Sequence, residues 1–481
     1  MQKIRACPLT AAPRPRPGTP SVAVIILCLV FLLLPLLFSA RDASALSVGE
    51  EKELGEKLLS IVRREFRLLD EPDLSQYVNR LGRQILTAAG TQYFDYHFFI
   101  VDNPEFNAFA APSGLIFLHS GLIETTTSEG ELYSVMAHEV GHVVSRHIAH
   151  RMEQNQKIGL GTAALLIAGA AVGGGGPLTE ALIAGGFAAG ESMNLAFSRK
   201  DEEEADRLAF SWMKNTSRNP AAMKSMIQKM VRITKYRGGQ PPPYLLTHPD
   251  PEKRLGYVQD LLYINRDGES GGGDDFIFQR FKTRVVSLSR DPDLVRKRAQ
   301  LQVQKGEPMG HYGLALANLA TARYPEAVAE MEEVRKSFPD RPVLLVDLAT
   351  IRMAMKDYGA AEQACQEARK ADPDDLYAPY ILARIWETAG RNAEAARTYE
   401  TLLASLPDQA DLYSRLGKLK GMLGQEGERF YYLGMYYWLN GDGDKATESL
   451  QSARRRLPPE SPLSVRAAAT IERIRELDKK F

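Results

Sequence analysis

His138-Glu139-Val140-Gly141-His142 is the stretch of this chain whose residue types could break a bond. Four residues separate the two histidines. At about 100° per residue, both imidazoles of a helix leave the same face one turn apart. That separation lets two ring nitrogens hold one divalent metal ion such as Zn²⁺, and Glu139 is then set to reach a water on the metal's open side. The motif is only moderately specific, since a buried helix can carry two packing histidines, so a third ligand has to be found elsewhere.

The element that must present these groups is written around them. Ser128 and Glu131 make a Ser-x-x-Glu capping signature, and Leu132, Val135, Met136, Val140, Val143 and Val144 supply an apolar stripe, which predicts one helix from Glu129 to Gln154. His147 stands five residues beyond His142, about 140° around such a helix, and so points away from a shared metal. The metzincin pattern would put Gly at 145 and His at 148; this chain has Ser145 and Ile148, which excludes that class and sends the third ligand to a distant segment.

Before this helix, Leu46 to Gly90 reads as two packing helices split at Pro72-Asp73, and Phe94 to Val101 reads as a strand. After Asn107-Ala108-Phe109-Ala110, Pro112-Ser113-Gly114 turns the chain into a second strand, Leu115 to Leu118, with His119 a structural residue. Gly114, Leu115, Ile116 and Phe117 are assigned as a strand that binds extended substrate by strand addition, against the equally simple reading of a hairpin that braces the helix. Ile158 to Gly190 is glycine-rich, with no charge between Lys157 and Glu180, and reads as a close-packed hairpin or flap; a membrane-dipping loop is the sharper alternative.

Phe197-Ser198-Arg199-Lys200-Asp201-Glu202-Glu203-Glu204-Ala205-Asp206 follows. By residue type it is the acidic first turn of a helix, and four consecutive acids leave the third ligand ambiguous. The ordered pair of motifs resembles the gluzincin family that includes the CAAX prenyl endoprotease and the HtpX heat-shock protease, over about Val48 to Leu255. The shared marks include Asn107-Ala108-Phe109-Ala110, Gly121-Leu122 and Thr247-His248-Pro249. One departure is Ser113, where that family commonly has glycine. The resemblance implies a zincin-type α+β peptidase fold with one Zn²⁺ per subunit held by His138, His142 and Glu202. It also implies Glu139 as general base and Asp206 as support for a ligand histidine. His248 sits in a loop after Pro241 to Pro243; in related enzymes this histidine can occupy the metal's open position, which makes it a regulatory fourth ligand here by resemblance.

The rest of the chain says where such a site works. Lys3, Arg5, Arg14 and Arg16 precede an apolar run from Val22 to Phe38 and the small residues Ala43-Ser44-Ala45, the order of a secretory signal; an uncleaved anchor is the alternative. Cleavage leaves Cys365 as the single cysteine, with no internal disulfide to form in an oxidising compartment. Sixty basic and sixty acidic residues balance, which gives no push toward nucleic acid. Pro339, Pro373 and Pro407 are 34 residues apart, and Ala327, Ala361 and Ala395, like Leu314, Leu348 and Leu382, keep that period. This is the tetratricopeptide repeat, an α-helical solenoid that binds protein segments. A further copy ends at Pro458 with Leu433-Gly434, Ala446 and Leu450 in place, which predicts an unpaired helix over Asp411 to Leu423.

The expected organisation is a signal peptide over 1–45, a metallopeptidase domain over 46–264, a linker and bridging helix over 265–305, and a tetratricopeptide domain over 306–481. That combination resembles a family of Gram-negative periplasmic proteases that serve outer-membrane protein assembly. It implies stalled or unfolded outer-membrane proteins as substrates, the beta-barrel assembly machinery as a partner of the repeats, and a chaperone-like activity.

Overall fold

The computed structural model describes residues 47–154, 169, 196–236, 242–265 and 275–480. The signal segment 1–45, most of Ile158 to Gly190 and the glycine-rich stretch 266–274 lie outside the described residues. Among the described residues no helix is long and apolar enough to cross a membrane.

Two helices come first, α1 (Val48–Glu65) and α2 (Pro72–Ala89). Leu54, Leu58 and Val62 on α1, and Tyr77, Leu81 and Ile85 on α2, recur at helical spacing and are buried. Ser47 and Glu50 close a full capping box on α1, while Pro72 opens α2 where its missing N–H costs nothing. A small sheet follows, with β1 (His97–Val101), β2 (Ala108–Ala111) and β3 (Leu115–His119) in the order β1-β3-β2. β3 runs parallel to β1 and antiparallel to β2. This corrects the assignment of Gly114, Leu115, Ile116 and Phe117 as a substrate strand. β3 is the central strand, its backbone is bonded on both sides, and it has no edge to lend to an added strand. Leu115 and Phe117 also face α1, on the far side of the sheet from the metal-site helix. Between β2 and β3, Ser113 takes φ 71°, the left-handed conformation that glycine adopts at no steric cost.

α3 (Ser120–Thr125) leads to α4 (Glu129–Val144), which packs with α2 against the sheet face carrying Ile116 and Leu118. Gly121 in α3 lies so close to the chain before it that an added Cβ would come within 2.1 Å of the Pro104 carbonyl oxygen. The cap of α4 is half of the predicted box. Ser128 Oγ accepts from the Glu131 N–H at 3.3 Å, but the Glu131 carboxylate turns to the Thr127 N–H at 2.6 Å and to Lys229.

The predicted single helix to Gln154 is in fact two, because Arg146 takes φ 52° and the chain restarts as α5 (His147–Gln154). A left-handed non-glycine residue costs about 1–3 kcal/mol and persists only when held from outside. Here the Arg146 guanidinium is fixed by the buried Glu51 carboxylate of α1, Nε to Oε1 at 2.8 Å.

α6 (Arg199–Asn215) crosses α4 where Gly141 meets Ala205, and a full N-cap box between Ser198 and Asp201 sets its start. α7 (Ala221–Tyr236), α8 (Pro243–Thr247) and α9 (Pro251–Ile264) complete the N-terminal half. The predicted bridging helix is also two, α10 (Asp275–Ser289) and α11 (Pro292–Gln304), separated where the Asp291 side chain caps α11. α10 belongs to two cores at once: Phe278, Phe281 and Val285 join the core of the N-terminal half, and Phe276 joins the first repeat.

The repeats run as α12 (Met309–Ala320), α13 (Tyr324–Ser337), α14 (Val343–Ala354), α15 (Tyr358–Ala371), α16 (Tyr377–Thr388), α17 (Asn392–Ser405), α18 (Ala410–Met422), α19 (Glu426–Leu439), α20 (Gly443–Arg454) and α21 (Pro462–Lys480). The helix predicted to be unpaired, α18, is paired. Leu416-Gly417 continues the 34-residue period from Leu382-Ala383, and Gly417 packs against Leu433 of α19. α19 uses Gly434 a second time, against Leu450 of α20, so one helix closes one repeat and opens the next. Cys365 is buried between repeat helices, and burial pushes its thiol up to about 12.

The array folds back on the N-terminal half at several points. Arg280 of α10 grips Asp347 of α14 with two bonds of 2.7 and 2.8 Å and reaches Asp73 of α2 at 3.0 Å, with Arg284 on the same Asp73 at 2.6 Å. Farther along, Arg63 of α1 donates to the carbonyls of Asp408 and Leu439, His97 of β1 pairs with Asp408 at 2.9 Å, and Arg473 of α21 pairs with Glu56 at 2.8 Å.

Candidate metal centre

α4 delivers His138, Glu139 and His142, all essentially inaccessible to solvent. The Nε2 atoms of His138 and His142 meet at 3.0 Å. α6 crosses close to α4 through the Gly141–Ala205 contact, so Glu202 and Asp206, one turn apart on α6, come to the same place. Glu202 Oε1 lies 3.4 Å from His142 Nε2, and its Oε2 lies 3.6 Å from His138 Nε2. α8 ends at His248, whose Nδ1 is 2.9 Å from Glu202 Oε1 and 3.3 Å from His138 Nε2. One ligand atom from each of His138, His142, Glu202 and His248 falls within 4.8 Å of the others, an arrangement that could hold a metal ion.

The donor set fits a divalent cation. His138 Nδ1 faces Asp206 Oδ1 at 2.7 Å, so its N–H donates to that carboxylate and the Nε2 lone pair is left pointing into the cluster. Several lone pairs then converge on one point, which repels unless a cation lies among them. Charge leads to the same conclusion: Glu139, Glu202 and Asp206 are buried carboxylates, Arg254 is the buried guanidinium against them, and a net charge of minus two remains for a doubly charged ion to cancel. Both Glu139 oxygens lack a hydrogen-bond partner among the described residues; His248 Nε2, at 3.6 Å from Oε1, is too far to bond.

Arg254 of α9 ties the rear of the site together. It donates to both Asp206 oxygens at 2.8 Å and pairs with Glu202 Oε2 at 2.8 Å, while the Tyr257 hydroxyl donates to Asp206 Oδ2. Burial alone would raise Glu202, but His248, Arg254 and His138 outweigh it and hold this carboxyl well below its ordinary range. Asp206 behaves alike: burial is overcome by Arg254 and His138, and the group stays ionised. Burial drives His142 well below the usual imidazole value, so it is neutral and able to donate a lone pair. Phe197 stacks on His142 with centroids 3.7 Å apart, and Tyr244 stacks on His248 at 4.3 Å.

The structure therefore gathers His138, Glu139, His142, Glu202, Asp206 and His248 into one cluster and leaves Gly114 to Phe117 outside it. Sequence reasoning missed Arg254, Tyr257, Phe197 and His147. Arg254 follows Thr247-His248-Pro249 within an ordinary charged first turn, which carries no signal of its own. His147 was turned away by a helix angle that the break at Arg146 invalidates: its Nδ1 lies 2.9 Å from His142 Nδ1.

Comparison with known proteins agrees with this geometry. Residues 72–262 match the model of peptidase family M48, and residues 318–385 and 352–419 match the tetratricopeptide repeat. The "Beta-barrel assembly-enhancing protease" of Escherichia coli (strain K12) is 28% identical over 450 residues, covering 91% of this chain and 90% of its own. The protein of the same name from Yersinia pestis is 27% identical and covers 93% of both chains. Among solved structures, the "Crystal structure of MamA" is 17% identical and covers 35% of this chain and 95% of its own, with a TM-score of 0.26. With the motif pair on α4 and α6, the match of residues 72–262 to peptidase family M48 and the repeats in agreement, the chain is a metalloprotease that joins an M48-like domain to tetratricopeptide repeats.

Proposed function

We propose that this chain is a zinc-dependent endopeptidase of a Gram-negative periplasm, acting in outer-membrane protein assembly and removing misassembled outer-membrane proteins. Its metal ligands are His138, His142 and Glu202. The observation that carries the chemistry is the convergence of His138 and His142 Nε2 at 3.0 Å beside the partnerless carboxylate of Glu139. Bound Zn²⁺ would supply Lewis-acid polarisation of the scissile carbonyl and a lowered pKa for the attacking water. Glu139, free of other bonds, takes the proton at a carboxylate oxygen and hands it to the leaving amine. Asp206 keeps the His138 Nδ1 proton in place so that Nε2 remains a donor to the metal. The substrate class, the chaperone-like activity, the secretory signal and the docking of the repeats on the beta-barrel assembly machinery rest on the signal-like N-terminus and on the name of the relatives.

The test sets zinc content beside casein cleavage. Glu139→Gln is expected to keep one zinc and lose cleavage by a factor of about 10²–10⁴. A glutamine variant that cleaves at the wild-type rate removes Glu139 from the mechanism.

A second reading is favoured by one observation, the position of His248 Nδ1 among the ligand atoms, 2.9 Å from Glu202. On this reading His248 is a fourth ligand that represses the enzyme until the α8 loop moves, and the resting protein acts chiefly as an assembly factor. His248→Ala should then cleave casein faster than wild type; unchanged or slower cleavage counts against repression. Full rescue of outer-membrane integrity by Glu139→Gln in a deletion strain would favour the assembly-factor reading over proteolysis.

A further inference from the structure

The two histidines of α4 are backed by different groups. Behind His138 stands a carboxylate, Asp206. Behind His142 stands another imidazole, His147 Nδ1 at 2.9 Å from His142 Nδ1, and it is 5% exposed. His142 presents Nε2 to His138 and Glu202, at 3.0 and 3.4 Å. For Nε2 to offer a lone pair there, Nδ1 must carry the ring proton, and the acceptor facing it is His147 Nδ1. His147 must then carry its own proton on Nε2, and that nitrogen faces Glu204 at 3.6 Å and Asp201 at 3.9 Å, both on the first turn of α6. Arg151 of α5 approaches Asp201 at 3.5 Å and lies over the Phe197 ring that stacks on His142.

We propose that His147 is a positioning residue for the metal centre. The acids of α6 face its Nε2 at ion-pair range, its Nδ1 accepts a hydrogen bond from the His142 N–H, and this fixes His142 as an Nε2 donor to the metal. The inference rests on His142 being a ligand, as proposed above. It gives the Arg146 turn a purpose, because a continuous helix would carry the 147 side chain away from His142. It also makes the two ligands unequal: His138 leans on a fully buried anion, whereas the anions behind His142 are partly exposed and one imidazole removed.

The test measures zinc dissociation constants by competition with a chromophoric chelator in the full chain, beside thermal unfolding of the metal-free forms. His147→Leu keeps bulk and removes the acceptor, and it is expected to weaken zinc by about 10- to 100-fold. His147→Gln, whose amide oxygen can accept the same proton, should recover most of that loss, with the metal-free melting temperatures of the two variants alike. Wild-type affinity in His147→Leu, or equal loss in both variants, overturns the proposal. Should the leucine variant not fold, Glu204→Gln, which leaves the Ser198–Asp201 cap intact, takes its place: weaker zinc supports the relay and unchanged zinc overturns it. His142→Ala separates the premises. If it holds zinc as wild type does, the ligand assignment fails; if it loses zinc while His147→Leu keeps it, only the relay fails.

Discussion

Glu139 and Asp206 are both buried carboxylates beside the clustered histidines, yet their surroundings fit them for opposite work. Asp206 is saturated by Arg254, His138 and Tyr257 and is locked as an anion; Glu139 has no bond to give up when a proton arrives. Replacing Asp206 by Asn should therefore loosen the bound metal ion by about 10- to 100-fold in a chelator competition. It should also destabilise the fold by about 1–3 kcal/mol in chemical denaturation, because Arg254 is left half paired in the interior. At this scale the sequence was readable where spacing alone defines geometry. His138, Glu139 and His142 lie within one turn, so their mutual placement follows from the helix. Glu202 could not be told from Asp201, Glu203 and Glu204 by type, since what singles it out is the face of α6 that meets Gly141.

Among the elements, the predictions concern close approaches that a pattern does not reveal. Gly121→Ala would press a methyl against the Pro104 carbonyl oxygen, 2.1 Å from the ideal Cβ position. Since backbone rather than a flexible side chain must move, a loss of about 1–3 kcal/mol is expected in urea unfolding. A second prediction follows the ion pair between β1 and the loop before α18. Hydrogen bonding to Asp408 raises His97, against desolvation, with Asp95 adding to the rise and Arg63 opposing it. Its contribution is complete below the ordinary histidine value of 6.5 and disappears as pH climbs through the raised value. Asp408 is lowered, burial being outweighed by His97 and Arg63, so its share is complete above 3.8 and lost only in stronger acid. His97→Gln should thus cost more stability at pH 6 than at pH 8.5, by under about 1 kcal/mol because both groups are some 40% exposed. Equal costs at the two pH values would dismiss the pair as a contributor. Helices were legible here because α1 and α2 bury one periodic stripe each; the break at Arg146 was not, since an arginine in the left-handed region depends on Glu51, 95 residues away.

For the whole molecule, the 34-residue period announced the repeats, but nothing periodic announced that they fold back on α1 and α2. Those contacts are made by single polar residues, such as Arg63 and Asp408, separated by 345 positions. The Arg280, Arg284, Asp73 and Asp347 cluster is the strongest of them, each group less than 10% exposed. Asp347→Ala leaves a buried guanidinium without its main partner and should cost about 3–5 kcal/mol, whereas Arg280→Met with Asp347→Leu should cost less than the single change. Chemical denaturation of both variants compares them. The shared helix α10 carries a last consequence, for anyone who would take the molecule apart. Its phenylalanines are divided between two cores, so a cut before Asp275 robs the catalytic half of Phe278 and Phe281, and a cut after Ser289 robs the repeats of Phe276. Neither fragment inherits a complete interior. Catalysis and partner binding in this protein are therefore not modules to be expressed apart and added back; each half has to be studied with the other attached.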